Sequence, residues 1–282
     1  MSRPPFLDLP TGVLRTEVDT PAGPLAALRG DADPATRAPV LLVPGYTGSK
    51  EDFIAILGTV VAAGHPVLAI DQRGQFESTG VDDRSAYDLD TLGGDVLLAL
   101  RSLGGQAHLV GHSFGGLVAR AATIADPGAV LSLTLMDSGP AAVPPPADTN
   151  IGLMAQAVPQ LDLETIWGLK RQLEAELEAI PPAAEIEAWM HDRFVANHPV
   201  GLLRVAEHLL DAADRTDELA ATGVPVLVLY GEDDDVWPPA LQAATGDRLG
   251  ARTVALPGVG HSPAADAPEP TVAALLDFWA SA

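Results

Sequence analysis

The chain has 282 residues, 47% of them hydrophobic and 19% charged, enough material to bury one large core or two modest ones. Its 27 Gly and 25 Pro are scattered rather than clustered, which excludes collagen-like, mucin-like and wholly disordered chains, and no run of ~18 apolar residues offers a membrane span. Lys and Arg number 16 against 38 Asp and Glu, so the net charge of −22 disfavours nucleic acid and anionic lipid as partners, and zero Cys removes disulfides, thiolate nucleophiles and Cys-ligated metals.

The N-terminus, MSRPPFLDLPTG, has no apolar stretch of signal-peptide length behind it, so a cytoplasmic protein is expected. Polar and apolar residues partly alternate from Val13 to Val18, DTPAG breaks the run at Asp19, and Pro24 to Leu28 resumes it, a β-hairpin pattern. The period then changes. VLLVPG (Val40 to Gly45) is a continuous apolar run such as a parallel strand covered on both faces shows, and apolar residues at helical spacing follow from Glu51 to Ala63. The unit recurs as strand Pro66 to Asp71 with helix Leu89 to Leu103, and as strand Ala107 to Gly111 with helix Leu117 to Ala125. Strand Val130 to Asp137 closes this half.

Three successive prolines in AAVPPPADTN (Ala141 to Asn150) forbid regular hydrogen bonding and mark a boundary. From Ile151 to about Ala221 the chain is rich in Leu, Ala and Glu without a convincing strand, and reads as three or four helices. Buried strand Val224 to Gly231, a helix over Ala240 to Leu249, strand Arg252 to Leu256 and a helix over Pro270 to Ala280 end the chain. Repeated βα units predict an α/β fold with a mostly parallel, doubly wound sheet. Its core would be residues 1–140 and 223–282, interrupted by a helical block at 141–222.

GHSFGG, Gly111 to Gly116, stands where a strand should turn into a helix and fits the Gly-x-Ser-x-Gly pattern of a nucleophile elbow. A serine on so sharp a turn adopts a strained backbone, so the residues two either side must lack a Cβ, and its hydroxyl then projects above the sheet edge. Serine is a weak nucleophile until a histidine takes its proton, and that histidine must be held in one tautomer by a carboxylate. Of the seven His, His261 in PGVGHSP follows the last strand in a short Gly/Pro loop and comes after Ser113 in the chain, so it is the expected base. His112, His65, His108, His191, His198 and His208 read as packing or surface residues.

The loop GEDDDVWP offers Asp233, Asp234 and Asp235 at the end of a buried strand, and Asp234 is the expected acid, with Asp137 at the end of the preceding strand as its competitor. The aspartate run lacks the ligand spacing and central Gly of an EF-hand, so no metal is expected, and no other cofactor is called for. An oxyanion formed at an attacked carbonyl needs backbone N–H donors. Phe114, directly after the serine at a helix N-terminus, is one expected donor, and Tyr46 in the loop PGYTGS is the other, its side chain then facing the substrate.

With these residues in place, the sequence resembles the α/β-hydrolase family over essentially its whole length. PGYTGS is similar to the family's His-Gly-x oxyanion segment, and DQRGQFES (Asp71 to Ser78) to its Asp-x-Arg-Gly-x-Gly-x-Ser loop. The resemblance implies Ser113 as nucleophile, His261 as base, a helical cap after the sixth strand, and Asp234 as acid, since the family's aspartate lies three residues past the Gly of the acid loop. Two departures stand out: Pro44 occupies the usual His position, and Phe76 replaces the second Gly of the third motif. A serine at position 113 also sets the chain apart from dehalogenases and epoxide hydrolases of the family, which would carry Asp there.

The expected reaction is hydrolysis of a carboxylic ester of a small, largely apolar molecule through an acyl-enzyme, with Tyr46, Phe76, Trp167 and Trp237 against the substrate. Met154, Leu161, Ile166, Trp189, Met190 and Phe194 are further apolar residues of the helical block, read as core. Carbon-carbon bond hydrolysis, lactone or thioester hydrolysis and cofactor-free perhydrolase or oxygenase chemistry use the same residues, and a non-catalytic ligand receptor on the same fold is an alternative of another class. Oligomeric state is not readable from these patterns.

Overall fold

A computed structural model describes residues 2–176 and 180–282 of the chain. Strands β1 (Val13–Val18) and β2 (Leu25–Gly30) form the hairpin, and β3 (Val40–Val43), β4 (Val67–Ile70), β5 (Ala107–His112), β6 (Val130–Met136), β7 (Val226–Gly231) and β8 (Arg252–Leu256) complete one sheet of order β1-β2-β4-β3-β5-β6-β7-β8. Only β2 runs antiparallel to its neighbours, so β3 to β8 all end on the same edge. From β3 the chain moves out to β4 on one side and then crosses to β5 on the other. That reversal opens a crevice above the carboxyl ends of β3 and β5, the place where ligands bind in open α/β sheets.

The helices of the sheet are α1 (Ile54–Ala62), α2 (Leu89–Ser102), α3 (Phe114–Ala125), α9 (Pro239–Leu249), the single turn α10 (Pro263–Asp266) and α11 (Pro268–Trp279). Alternate residues of each strand serve opposite faces. Val40 and Leu42 pack with Ile56, Val60, Leu275 and Phe278 of α1 and α11, while Leu41 and Val43 pack with Val96, Leu117 and Val118 of α2 and α3. This explains the unbroken apolar runs: a strand covered on both sides has no solvent face on which a polar residue would be favoured.

Between β6 and β7 lie α4 (Asp148–Ala157), α5 (Leu163–Glu176), α6 (Ala184–Val195), α7 (Pro199–Asp211) and α8 (Thr216–Ala221). The expected three or four helices are therefore five among the described residues. Pro199, which looks like a helix breaker in sequence, opens α7 at a position where its missing N–H costs nothing. Val158, Leu163, Ile166, Trp167, Met190, Phe194 and Leu202 form an apolar cluster belonging to these helices. Val205 and Leu209 of α7 instead join the sheet's core. Other boundaries shift by a few residues. Helix α3 begins at Phe114 rather than Leu117, because Gly115 and Gly116 are in its first turn, where close packing excludes any larger residue.

No helix among the described residues is long and apolar enough to cross a membrane.

Candidate active site

Register places the site. Val43 pairs with Gly111 and His112 with Met136, so the residues following these strands meet above the sheet: Gly45 lies against Ser113, and the Ser113 amide donates to Met136 O at 2.8 Å. Ser113 has φ 55° and ψ −123°, the strained conformation expected of a serine between β5 and α3. The glycines around it are needed for space. A Cβ on Gly111 would overlap the Gly115 carbonyl and the Gly116 Cα, one on Gly115 would overlap the Val43 and Pro44 carbonyls, and one on Gly45 would stand 2.8 Å from Ser113 Cβ.

His261, in the loop after β8, places Nε2 2.9 Å from Ser113 Oγ and Nδ1 2.8 Å from Asp234 Oδ1. An ionised carboxylate only accepts, which assigns the proton to Nδ1 and leaves the Nε2 lone pair for the serine O–H. Asp234, in the loop after β7, also accepts from the Val236 amide at 2.8 Å and from Gln242 Nε2 of α9 at 2.7 Å. Burial pushes its carboxyl up, but the hydrogen bond and charge of His261 and the Val236 amide outweigh that and hold it below the usual carboxylate range. Asp233 and Asp235 are exposed. Asp137 is fully buried at the end of β6, and burial together with the adjacent Asp234 charge holds its carboxyl well above the usual range.

One ligating atom each of Asp137, Asp234 and His261 lies within 4.8 Å of the others, close enough to resemble a cation site. The arrangement does not suit one, because His261 Nδ1 is used as a hydrogen-bond donor and so lacks the lone pair a metal would take. The donor set is turned inward.

His112 was expected only to pack. Its ring is buried, its Nε2 donates to the main-chain carbonyl of His261 at 2.7 Å, and burial, aided by His261, lowers its pKa to about 3. Adjacency to Ser113 was the one sequence signal for it. Gln242 went unnoticed altogether, since a glutamine eight residues past an aspartate carries no motif.

The four expected substrate residues differ in burial and neighbours. Tyr46 is half-buried and packs against both the sheet's core and the cluster of inserted helices, its buried hydroxyl meeting no hydrogen-bond partner among the described residues. Phe76 lies edge-on to Trp189 of α6 at 5.6 Å, with Lys50 Nζ 4.8 Å from its ring centroid. Its φ of 39° is in the left-handed region, so this backbone keeps a glycine-like conformation with a phenylalanine in it. Trp167 is buried beside Phe194, and Trp237 is completely buried, its indole filling the space over Gly139 at 6.2 Å from the His261 ring. The structure brings neither tryptophan to an open surface. Of the other apolar residues of the insertion, Ile166, Met190 and Phe194 are core, Met154 and Trp189 pack against that core, and Leu161 is exposed.

The inserted helices are tied down near the site. Arg193 of α6, fully buried, donates from one guanidinium nitrogen to Asp52 Oδ1 at 2.6 Å and from another to the Ser2 carbonyl at 2.7 Å. Asp52 lies in the 3-10 turn Lys50–Phe53 that leads into α1, and burial outweighs the Arg193 charge to leave its carboxyl raised.

A family model described as the alpha/beta hydrolase family matches residues 40–274. Among curated proteins, the chain is 31% identical over 261 residues to the putative carbamate hydrolase RutD of Variovorax paradoxus, covering 88% of this chain and 93% of that one. It is 28% identical over 275 residues to the rhodomycin D methylesterase DnrP of Streptomyces peucetius, covering 87% and 92%. Among solved structures, a thermophilic esterase from Thermogutta terrifontis superposes with a TM-score of 0.75 at 24% identity, covering 95% of this chain and 98% of that chain.

Proposed function

The chain belongs to the alpha/beta hydrolase family, and from that premise we propose that it is a serine hydrolase that cleaves a carboxylic ester of a small, largely apolar molecule. The observation that carries this reading is the unbroken relay from Ser113 Oγ to His261 Nε2 at 2.9 Å and from His261 Nδ1 to Asp234 Oδ1 at 2.8 Å.

His261 takes the Ser113 proton as Oγ attacks the ester carbonyl, and Asp234 stabilises the imidazolium that forms. The backbone amides of Phe114 and Tyr46 receive the oxyanion. Gly45 supports the second assignment, since its close approach to Ser113 brings the Tyr46 segment beside the attacking oxygen. His261 then protonates the leaving alcohol, and a water activated by the same imidazole releases the acid. Residues 141–222 serve as the cap. The contacts of Trp189 with Phe76, of Arg193 with Asp52 and of Tyr46 with the inserted helices support that role.

Lys50, Arg73 and Arg193, buried cations of the loops and helix around the site, are engaged by carboxylates, which favours an uncharged substrate over a phosphate-bearing thioester. A carbamate presents the same carbonyl to Ser113, and the 31% identity to RutD makes it the second substrate class to test.

The experiment is stoichiometric labelling by a fluorophosphonate together with turnover of a panel of short p-nitrophenyl esters, lactones and carbamates. Ser113→Ala abolishes both signals while circular dichroism and the melting temperature are retained. A wild-type protein that binds small molecules but neither labels nor turns over any of the panel is a receptor, and the enzymatic reading falls.

A further inference from the structure

Asp137 ends β6 in a position that a lone structural carboxylate would not hold cheaply. Its side chain is fully buried, its φ of 42° is in the left-handed region, and one of its carboxyl oxygens lies within 4.8 Å of one of Asp234. Oδ1 accepts the Gly231 amide at 2.9 Å, whereas Oδ2, equally buried, accepts no hydrogen bond from a protein donor among the described residues. Burying a carboxylate oxygen without a protein donor is costly. A carboxylic acid does not, because Oδ2 then carries the proton and the neighbouring Asp234 accepts it.

The hydrogen-bond inventory also decides which of the two holds the proton. Asp234 accepts from three groups, the Val236 amide, Gln242 Nε2 and His261 Nδ1, while Asp137 accepts from one. Two carboxyl groups this near each other in a buried site do not both ionise readily, and the proton settles on the one with fewer donors.

We propose that Asp137 is a protonated positioning residue whose Oδ2–H donates to Asp234, so that the acid of the relay is a two-carboxyl pair carrying a single negative charge. This deepens the triad reading and rests on it for its catalytic meaning. Asp137 touches neither substrate nor the reacting atoms. It closes the ring of donors around Asp234, which holds that carboxylate against His261 and keeps it a weak base, so that the imidazole proton stays on Nδ1. The titratable groups facing the pair are His261 and, behind it, His112, and Gln242 and the Val236 and Gly231 amides are its neutral partners.

The test is infrared difference spectroscopy on the whole protein near neutral pH, wild type against Asp137→Asn. Asparagine tolerates positive φ and reproduces both hydrogen bonds, one accepted and one donated. The expected spectrum shows the C=O stretch of a protonated carboxylic acid lost in D137N. Loss of a carboxylate band instead overturns the proposal. The readout needs no turnover, so it stands even if the hydrolytic reading fails.

A second readout is the acid limb of the kcat/KM profile for a short p-nitrophenyl ester. With a neutral acid at 137, D137N leaves that limb in place, and D137A, which deletes the donor, lowers kcat by about tenfold or more, the worth of one hydrogen bond to a charged group. If Asp137 is ionised, D137N removes a negative charge beside His261, moves the limb down by ~1 unit or more, and the proposal is wrong.

Discussion

His112 Nε2 and the main-chain carbonyl of His261 are joined by a 2.7 Å hydrogen bond, so the residue preceding the serine on β5 holds the loop that carries the histidine after β8. The bond persists over the working pH range, because burial keeps His112 neutral down to about 3. Removing the donor frees that loop. His112→Phe is expected to lower the fluorophosphonate labelling rate by about tenfold, the order of effect of losing one orienting hydrogen bond, with no loss of the label's stoichiometry. Unchanged labelling kinetics would deny His112 any part in placing the base.

Gly115→Ala puts a methyl group into the Val43 and Pro44 carbonyls, which are backbone and have nowhere to go. Overpacking of this kind costs ~1–3 kcal/mol. Urea unfolding should show a loss in that range, and labelling at Ser113 should slow, since the same displacement moves the loop that ends at Tyr46. Gly94→Ala, a change at a helical glycine with open space around it and, like Gly115, no positive φ, serves as the control for the substitution without the overlap.

Arg193→Met leaves Asp52 buried without its cation. Breaking a buried pair from one side costs ~3–5 kcal/mol, while replacing both members with apolar residues of similar size is often neutral. The single variant is expected to lower the urea midpoint strongly, and adding Asp52→Leu to recover most of it. Failure of the second change to recover stability would mean that Arg193 acts through its bond to Ser2 or its stacking on Trp189, 4.6 Å away, rather than through the pair.

His108 is a buried histidine on β5 that donates or accepts at Ser132 Oγ and stacks on Trp279, and burial, aided by His65, lowers its pKa to about 4. The unfolded chain binds the proton near 6.5 and the folded chain does not, so this site's contribution to stability is complete above pH 6.5 and is lost as the pH falls toward 4. Between pH 7 and pH 5 the loss at one such site is about 2 kcal/mol. His108→Asn removes the titration, and urea melts at the two pH values should then differ by correspondingly less than in the wild type. An equal pH dependence in both proteins would contradict a neutral, buried His108.

The parts of the molecule visible in sequence are those that local physics sets. Runs such as Val40 to Val43 and Val226 to Gly231 are apolar throughout because both faces of a parallel strand are covered, and β8 falls at Arg252–Leu256 as expected. Gly111, Gly115 and Ser113 are legible because the turn they form has a steric requirement that few residues meet. The helices between β6 and β7 were harder to count, since amphipathic segments separated by short polar turns and Pro-led starts leave no strong punctuation.

The chain alone determined an alternating α/β order, a serine on a strained strand-to-helix turn, and a histidine and aspartates at later strand ends, all consequences of residue types acting over a few neighbours. Only the tertiary structure decided which of the aspartates meets His261, that Asp137 is buried within 4.8 Å of Asp234, that His112 bonds the His261 carbonyl and Gln242 the Asp234 carboxylate, and that Trp237 is completely buried. Those relations depend on strand order and register, which bring residues more than a hundred positions apart to one edge, and on burial, which sets where protons reside; neither is a property of any short stretch of sequence.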